Sequence, residues 1–225
     1  MLCMMDNKQA SLEPNLILGL FSTFHSIYPS ADNHITLSLT TMAAPVTVPV
    51  YHYFDLGRLG RGEVVKLFLM DAGIEIKEDT QTAGTRVPGL ILSQHIPILR
   101  FFARDLGRYD GETNAEKFIV DAVSDIYIDW RSQWVANLTE KSEKYKNEVA
   151  PEYYNLLDKY YRDQAGPYLL GNSVTYADFA VYQSIDNDER TGTLPSSLPE
   201  SLVKFREAFE QRPNIATYLK ETRLG

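Results

Sequence analysis

The chain has 225 residues, 44% hydrophobic and 23% charged, the balance of a globular protein long enough for one large domain or two small ones. A net charge of -8 argues against nucleic acid or an anionic membrane as the main partner. The single cysteine, Cys3, excludes an internal disulfide framework and fits a reducing, cytoplasmic setting, and no apolar run reaches the roughly 18 residues of a membrane span.

Residues 1–41 lack periodicity and are expected to be an extension outside the fold, with Met42 as an alternative start. Val48 to Phe54 is rich in Val and Tyr and reads as a strand. From Gly60 to Ala72, Val64, Leu67, Phe68 and Ala72 share one helix face, and Gly73 stops it. Ile74–Lys77 reads as a short strand, residues 78–86 as a polar turn, and Gly89–Leu92 as one more strand. Ile96 to Leu106 repeats the helical spacing, with Pro97 in its first turn and Gly107 after it. A small α/β half is therefore expected up to residue 107.

From residue 112 onward the signals are helical. Thr113 and Glu116 form a capping box before Ile119, Val123, Ile126, Trp130 and Trp134. Pro151 opens a Tyr-rich helix, Thr175 and Asp178 resemble a second cap, Leu202, Phe205 and Phe209 mark another helix, and Pro213 opens the last.

Gly57, Gly60 and Gly62 follow the first strand, but their G-x-x-G-x-G spacing fits neither a dinucleotide loop nor an NTPase loop. A tight turn into a helix is the simpler reading. The four histidines, His25, His34, His52 and His95, have no i+3 or i+4 pairs, so no metal site is expected. No G-x-S-x-G elbow exists. Asp121, Asp125 and Asp129 line one helical stripe, which reads either as a solvated face or as a site for a cation.

Tyr53-Phe54 at a strand end, the G-R-x-E of Gly60–Glu63, Val87-Pro88, Gln94 before ILRFFARDLG, the Thr175-x-x-Asp178 box and the closing PNIATYLKETRLG together resemble the glutathione transferases, in particular their sigma-like and fungal branch. The resemblance covers residues 46–225. It implies a thioredoxin-like domain over 42–107, an all-helical bundle over 112–225, and a homodimer. Glutathione would be the co-substrate, with no metal, and small electrophiles the acceptors. Tyr53 would hydrogen-bond the glutathione sulfur, which is chemically sensible because only the thiolate attacks. Arg61, Val87, Pro88, Gln94 and His95 would line the glutathione site. Asp129 would reach the partner subunit's glutathione amine. Tyr127 or Trp134 would face the electrophile.

The sequence departs from that family in three places. His95 stands where the family has Ser. Too few residues precede Val87 for the family's second helix, and Pro88–Gln94 is expected to hold one strand rather than a hairpin. The α/β domain is thus expected to be shortened. A non-catalytic binding module, an inactive truncated isoform, and a glutathione-dependent isomerase or peroxidase are the alternatives.

Overall fold

The computed structural model describes residues 49–52, 57–79, 84–87, 90–138 and 143–223. The expected extension at 1–41 and the start at Met42 lie outside them. Val50–His52 form β1. A 3-10 turn at Gly57–Leu59 leads into α1, Arg61–Asp71, whose Val64, Leu67 and Phe68 are fully buried. Gly73 ends the helix at φ +72°. Its N–H and that of Ile74 reach back to the carbonyls of Met70 and Leu69, at 3.0 and 2.9 Å. This cap uses Ile74, which the sequence reading assigned to a strand. β2 therefore starts later, at Lys77–Asp79.

β1 pairs parallel to β2 and antiparallel to β3, Gly84–Val87, which pairs antiparallel to β4, Leu90–Leu92. The sheet order is β2-β1-β3-β4. A hairpin is therefore present over residues 84–92: Pro88–Gln94 holds one strand, β4, as expected, and its partner β3 comes from the segment expected to be a turn. Arg86 lies opposite Ile91, and only residues 88–89 separate the strands. The polar segment 78–86 was read as a turn because it lacks apolar alternation. Backbone pairing with β1 makes its second half a strand all the same.

The connection before β3 is as short as the sequence implied. Asp79 and Gly84 both pair with His52, from opposite sides, with four residues between them in the chain. That gap is about 10 Å, two strand spacings. Four residues are enough to span that distance and too few for a helix of more than one turn.

α2, His95–Asp105, buries Ile98, Leu99 and Phe102. It ends as α1 does, with Gly107 at φ +62° and the Arg108 N–H on the Ala103 carbonyl at 3.1 Å. The helical half comprises α3 (Asn114–Ala136), α4 (Ala150–Tyr161, after a π-helical turn at Tyr145–Val149), α5 (Tyr176–Thr191), α6 (Glu200–Glu210) and α7 (Pro213–Arg223). The Thr113 box forms as read: the hydroxyl accepts the Glu116 N–H at 3.2 Å, and the Glu116 carboxylate accepts the Thr113 N–H at 2.8 Å. Among the described residues no helix is long and apolar enough to cross a membrane.

α5 lies at the centre. Every residue from Tyr176 to Asp188 is buried, and α1, α2 and α3 all pack on it. Phe179 meets Phe68 and Phe209 edge to face, and Tyr182 stacks on Phe209 at 4.3 Å. Much of this helix is polar, so burial obliges each polar group to find a partner. Asp178 accepts from Thr175 N at 2.6 Å, Thr175 Oγ1 at 2.8 Å, Tyr161 Oη at 2.9 Å and Leu169 N at 3.1 Å. Asp188 accepts from Thr193 Oγ1 at 2.8 Å and from Tyr145 and Tyr154 hydroxyls at 2.9 Å.

Asp178→Ala strands four buried donors and is expected to cost roughly 3–5 kcal/mol in urea unfolding. Burial raises Asp188 from its ordinary 3.8 to about 6, against the pull of the Thr193, Tyr154 and Tyr145 hydroxyls. The folded protein thus holds this proton more tightly than the unfolded chain. That contribution is fully present below pH 3.8 and is lost as pH rises through about 6. Between pH 4.5 and 7.5 the stability of wild type relative to Asp188→Asn is expected to fall by about 2 kcal/mol in urea titrations.

Candidate active site

The turn before α1 is held by the helical half. Gln183 of α5 donates from Nε2 to the Gly60 carbonyl at 3.0 Å and the Arg58 carbonyl at 3.3 Å. Arg131 of α3 donates from Nη2 to the Leu59 carbonyl between them at 3.0 Å. Three consecutive carbonyls are thereby fixed from outside the turn. The Gln183 Oε1 in turn accepts from Tyr127 Oη and Arg131 Nη1, both at 3.4 Å.

Arg58 adds an ionic clamp. Its Nε donates to Glu63 Oε1 at 3.2 Å, its Nη1 to Thr222 at 3.3 Å, and its Nη2 lies 3.3 Å from Asp186. Glu63 also accepts from Tyr218 Oη at 3.0 Å. Burial raises the Glu63 pKa, while Arg58 and Tyr218 oppose the shift. The Glu of the G-R-x-E segment thus anchors α1 to α7.

Tyr53 and Pro88 lie outside the described residues. Arg61 is the first residue of α1 and is exposed. Val87 ends β3 opposite Leu90. Gln94 is the exposed N-cap of α2, with φ 67° and ψ 121°. A non-glycine residue held there costs on the order of 1–3 kcal/mol, and such strain collects at ligand clamps. His95, next in chain, is 6% exposed, and its ring meets Tyr127 edge to face at 5.4 Å. Burial first, then the Arg61 and Arg131 charges, lower its pKa to about 3, so the imidazole is neutral at physiological pH.

Asp129 is exposed on α3. It lies two residues from both Tyr127 and Arg131, hence on the opposite side of the helix. His95, Arg131 and Tyr127 therefore converge near the 57–61 turn, and Asp129 does not join them. The Asp stripe divides: Asp121 pairs with Arg100 at 2.7 Å and accepts the Tyr176 hydroxyl, while Asp125 and Asp129 are exposed. No group of three or more potential metal ligands exists among the described residues.

Tyr127 and Trp134 do not form an open electrophile wall. They are 0% and 4% exposed and belong to the core, with Trp134 Nε1 bonded to Thr191 at 3.2 Å. The sequence reading also missed Arg58, Arg131 and Gln183. No local pattern marks them, because Gln183 lies more than 120 residues from the turn it holds.

Residues 128–222 match the family model described as glutathione S-transferase, C-terminal domain. A solved glutathione S-transferase of Caenorhabditis elegans superposes with a TM-score of 0.68 at 25% identity, covering 77% of this chain and 98% of that one. The chain has the glutathione S-transferase fold, and residues 128–222 of its helical half are similar to that family's C-terminal domain. Among curated relatives, glutathione S-transferase 1 of Ascaris suum is 27% identical over 198 residues, 75% of this chain and 94% of the relative. Hematopoietic prostaglandin D synthase of Gallus gallus is 28% identical over 195 residues, with 75% and 94% covered. In this transferase fold the Gln183 bonds join the α/β half to the helical half at α1. Gln183→Leu strands the Arg58 and Gly60 carbonyls and is expected to cost roughly 2–4 kcal/mol in urea unfolding, with faster amide exchange in the first turn of α1.

Proposed function

We propose that this protein is an enzyme that conjugates the thiolate of glutathione to small electrophiles, in the cytoplasm and in a detoxifying role. The observation that carries the reading is the strained, exposed N-cap at Gln94, at the start of α2, in a chain similar along both halves to glutathione S-transferases. The α/β half, with its β2-β1-β3-β4 order, is read as a thioredoxin-like domain over 42–107 that lacks one helix, followed by the helical domain over 112–225.

Gln94 would hold the γ-glutamyl end of glutathione. The first-turn N–H groups of α2 have no intrahelical partner and carry the positive end of the helix dipole, which suits a carboxylate. The His95 ring points inward, so His95 would contribute its backbone N–H there. Val87 and Pro88 would pair with the peptide backbone of glutathione, and Arg61 adds positive charge at the start of α1. Tyr53 would donate to the sulfur. Lowering a thiol pKa by about two units takes roughly 2.7 kcal/mol, within reach of one charge-assisted hydrogen bond and a helix N-terminus. The thiol proton leaves to solvent, and the sulfur lone pair forms the bond to the electrophilic carbon as that carbon's bond to its leaving group breaks and the group departs with the electron pair; on an activated alkene the π pair is displaced instead and is protonated from solvent.

Exposed Ile91 on β4 and Phe118 on α3, 65% and 72% accessible, support a homodimer. Asp129, on the outward side of α3, would then serve the partner subunit's glutathione, the sigma-like arrangement. The relative named as a synthase favours one second reading, isomerisation with glutathione returned unchanged.

Glutathione-affinity retention and conjugation assays test this. Tyr53→Phe is expected to keep retention and lose about 25-fold in turnover at about pH 7, the thiolate fraction lost when a thiol pKa of about 6.5 returns to about 8.5. No retention at millimolar glutathione would sink the reading, and turnover without glutathione consumption would select the isomerase. Phe118→Glu is expected to halve the mass measured by light scattering.

A further inference from the structure

The charges around the turn at 57–61 do not cancel. Arg58, 8% exposed, is flanked by the carboxylates of Glu63 and Asp186, and Asp186 also pairs with Arg190 at 2.7 Å. Those two arginines and two carboxylates balance one another. Arg131, 7% exposed, pairs with no carboxylate among the described residues. Its bonds go to the Leu59 carbonyl at 3.0 Å and to Gln183 Oε1 at 3.4 Å, and its guanidinium lies 5.3 Å from the Trp134 ring centre. A guanidinium keeps its proton when buried, so the charge remains. Asp125 and Asp129 of the same helix are exposed. Arg61, the other cation here, opens α1 at the surface.

The backbone of the turn is oriented to use that charge. The carbonyls of Arg58, Leu59 and Gly60 are held by Gln183 and Arg131. A trans peptide directs its N–H opposite to its C=O, and no described peptide bond is cis. The N–H groups of Leu59, Gly60 and Arg61 therefore point away from the two gripping side chains. The start of α1 presents its positive end on that side, and a full positive charge stands behind it. The same charge is felt beside Gln94: after burial, Arg61 and Arg131 are the causes that hold the His95 imidazole neutral. Tyr53 precedes Gly57 by four residues, so it lies within roughly 14 Å of the turn by chain length alone. A unit charge about 12 Å away, at an effective dielectric near 20, shifts an ionisation by about one pKa unit.

We propose that Arg131 is a positioning residue for catalysis: its buried charge, set behind the turn, holds the start of α1 positive and favours the thiolate of bound glutathione. It touches neither glutathione nor the electrophile. This rests on the conjugation reading above and adds a residue to it.

The test is the pH profile of turnover by the full chain at saturating glutathione, which reports ionisations in the bound complex. Arg131→Gln, which can still donate to the Leu59 carbonyl, is expected to raise the lower midpoint by about one unit. Starting from about 6.5, turnover then falls about eightfold at pH 6 and almost not at all at pH 9. Arg131→Met is expected to shift it equally. An unmoved midpoint, or a loss of the same size at every pH, would overturn the proposal. A shift in Arg131→Met alone would assign the effect to the Leu59 bond and overturn it too. If neither variant folds, Val135→Glu decides, because it adds a carboxylate one turn along α3 at an exposed position. It is expected to raise the midpoint by about 0.3 unit, and no rise refutes the proposal. If glutathione does not bind, the conjugation reading fails by itself, and the charge is read without it. In a Cys3→Ser background, which removes the single native cysteine, Arg61→Cys puts a thiol at the start of α1. Its alkylation by iodoacetamide is followed against pH. Adding Arg131→Gln is expected to raise that midpoint by about half a unit or more, and an unchanged midpoint refutes the role of the charge.

Discussion

Complete burial of a polar helix is the constraint around which the rest is arranged. α5 carries Asp178, Gln183, Asp186, Asn187 and Asp188 inside the protein. A buried acceptor or donor left alone costs on the order of 1–3 kcal/mol, so each of these side chains dictates where its neighbours go. Asp178 draws the Leu169 N–H and the Tyr161 hydroxyl to the start of the helix. Asp188 gathers α4 and the π-helical turn through Tyr154 and Tyr145, and Tyr145 accepts the Trp130 indole N–H at 3.0 Å. Gln183 and Asp186 face the turn before α1. The same helix therefore organises the bundle and fixes the entrance to the α/β half.

The position of the candidate site follows from this. A loop fixed through its own side chains alone could shift with each substitution. Here the carbonyls of Arg58, Leu59 and Gly60 are gripped by Gln183 and Arg131. α1 starts from a held point, and its dipole is aimed before any ligand arrives, which lowers the ordering cost of binding. The two arginines of this region carry different duties. Arg58 is neutralised twice and is structural. Arg131 holds a carbonyl and keeps capacity for a further acceptor.

Terminal signals were legible in the chain because they are local. The Thr113–Glu116 box and the stops at Gly73 and Gly107 depend on residues within five positions of one another, and they form as read. The hairpin was not legible. Gly84–Val87 has too little apolar alternation to show as a strand, and its identity comes from pairing with Val50–His52, more than 30 residues earlier. Ile74 was misread for the opposite reason: an apolar residue after a helix resembles the start of a strand, but it closes the helix cap. His95 shows a similar limit. As a residue after Gln94 it looked like a ligand donor, and only packing against Tyr127 turns its ring inward.

By itself the sequence determined the class of fold, an α/β half followed by helices, together with most helix ends and the brevity of the link before β3. These follow from spacing, caps and chain length, which act over a few residues. The tertiary structure alone decided which polar groups are buried, that Gln183 and Arg58 lock the turn, that Tyr127 and Trp134 are core, and that Arg131 pairs with no carboxylate among the described residues. Desolvation and hydrogen-bond pairing join residues far apart in the chain, so their outcome exists only once α5 has been enclosed.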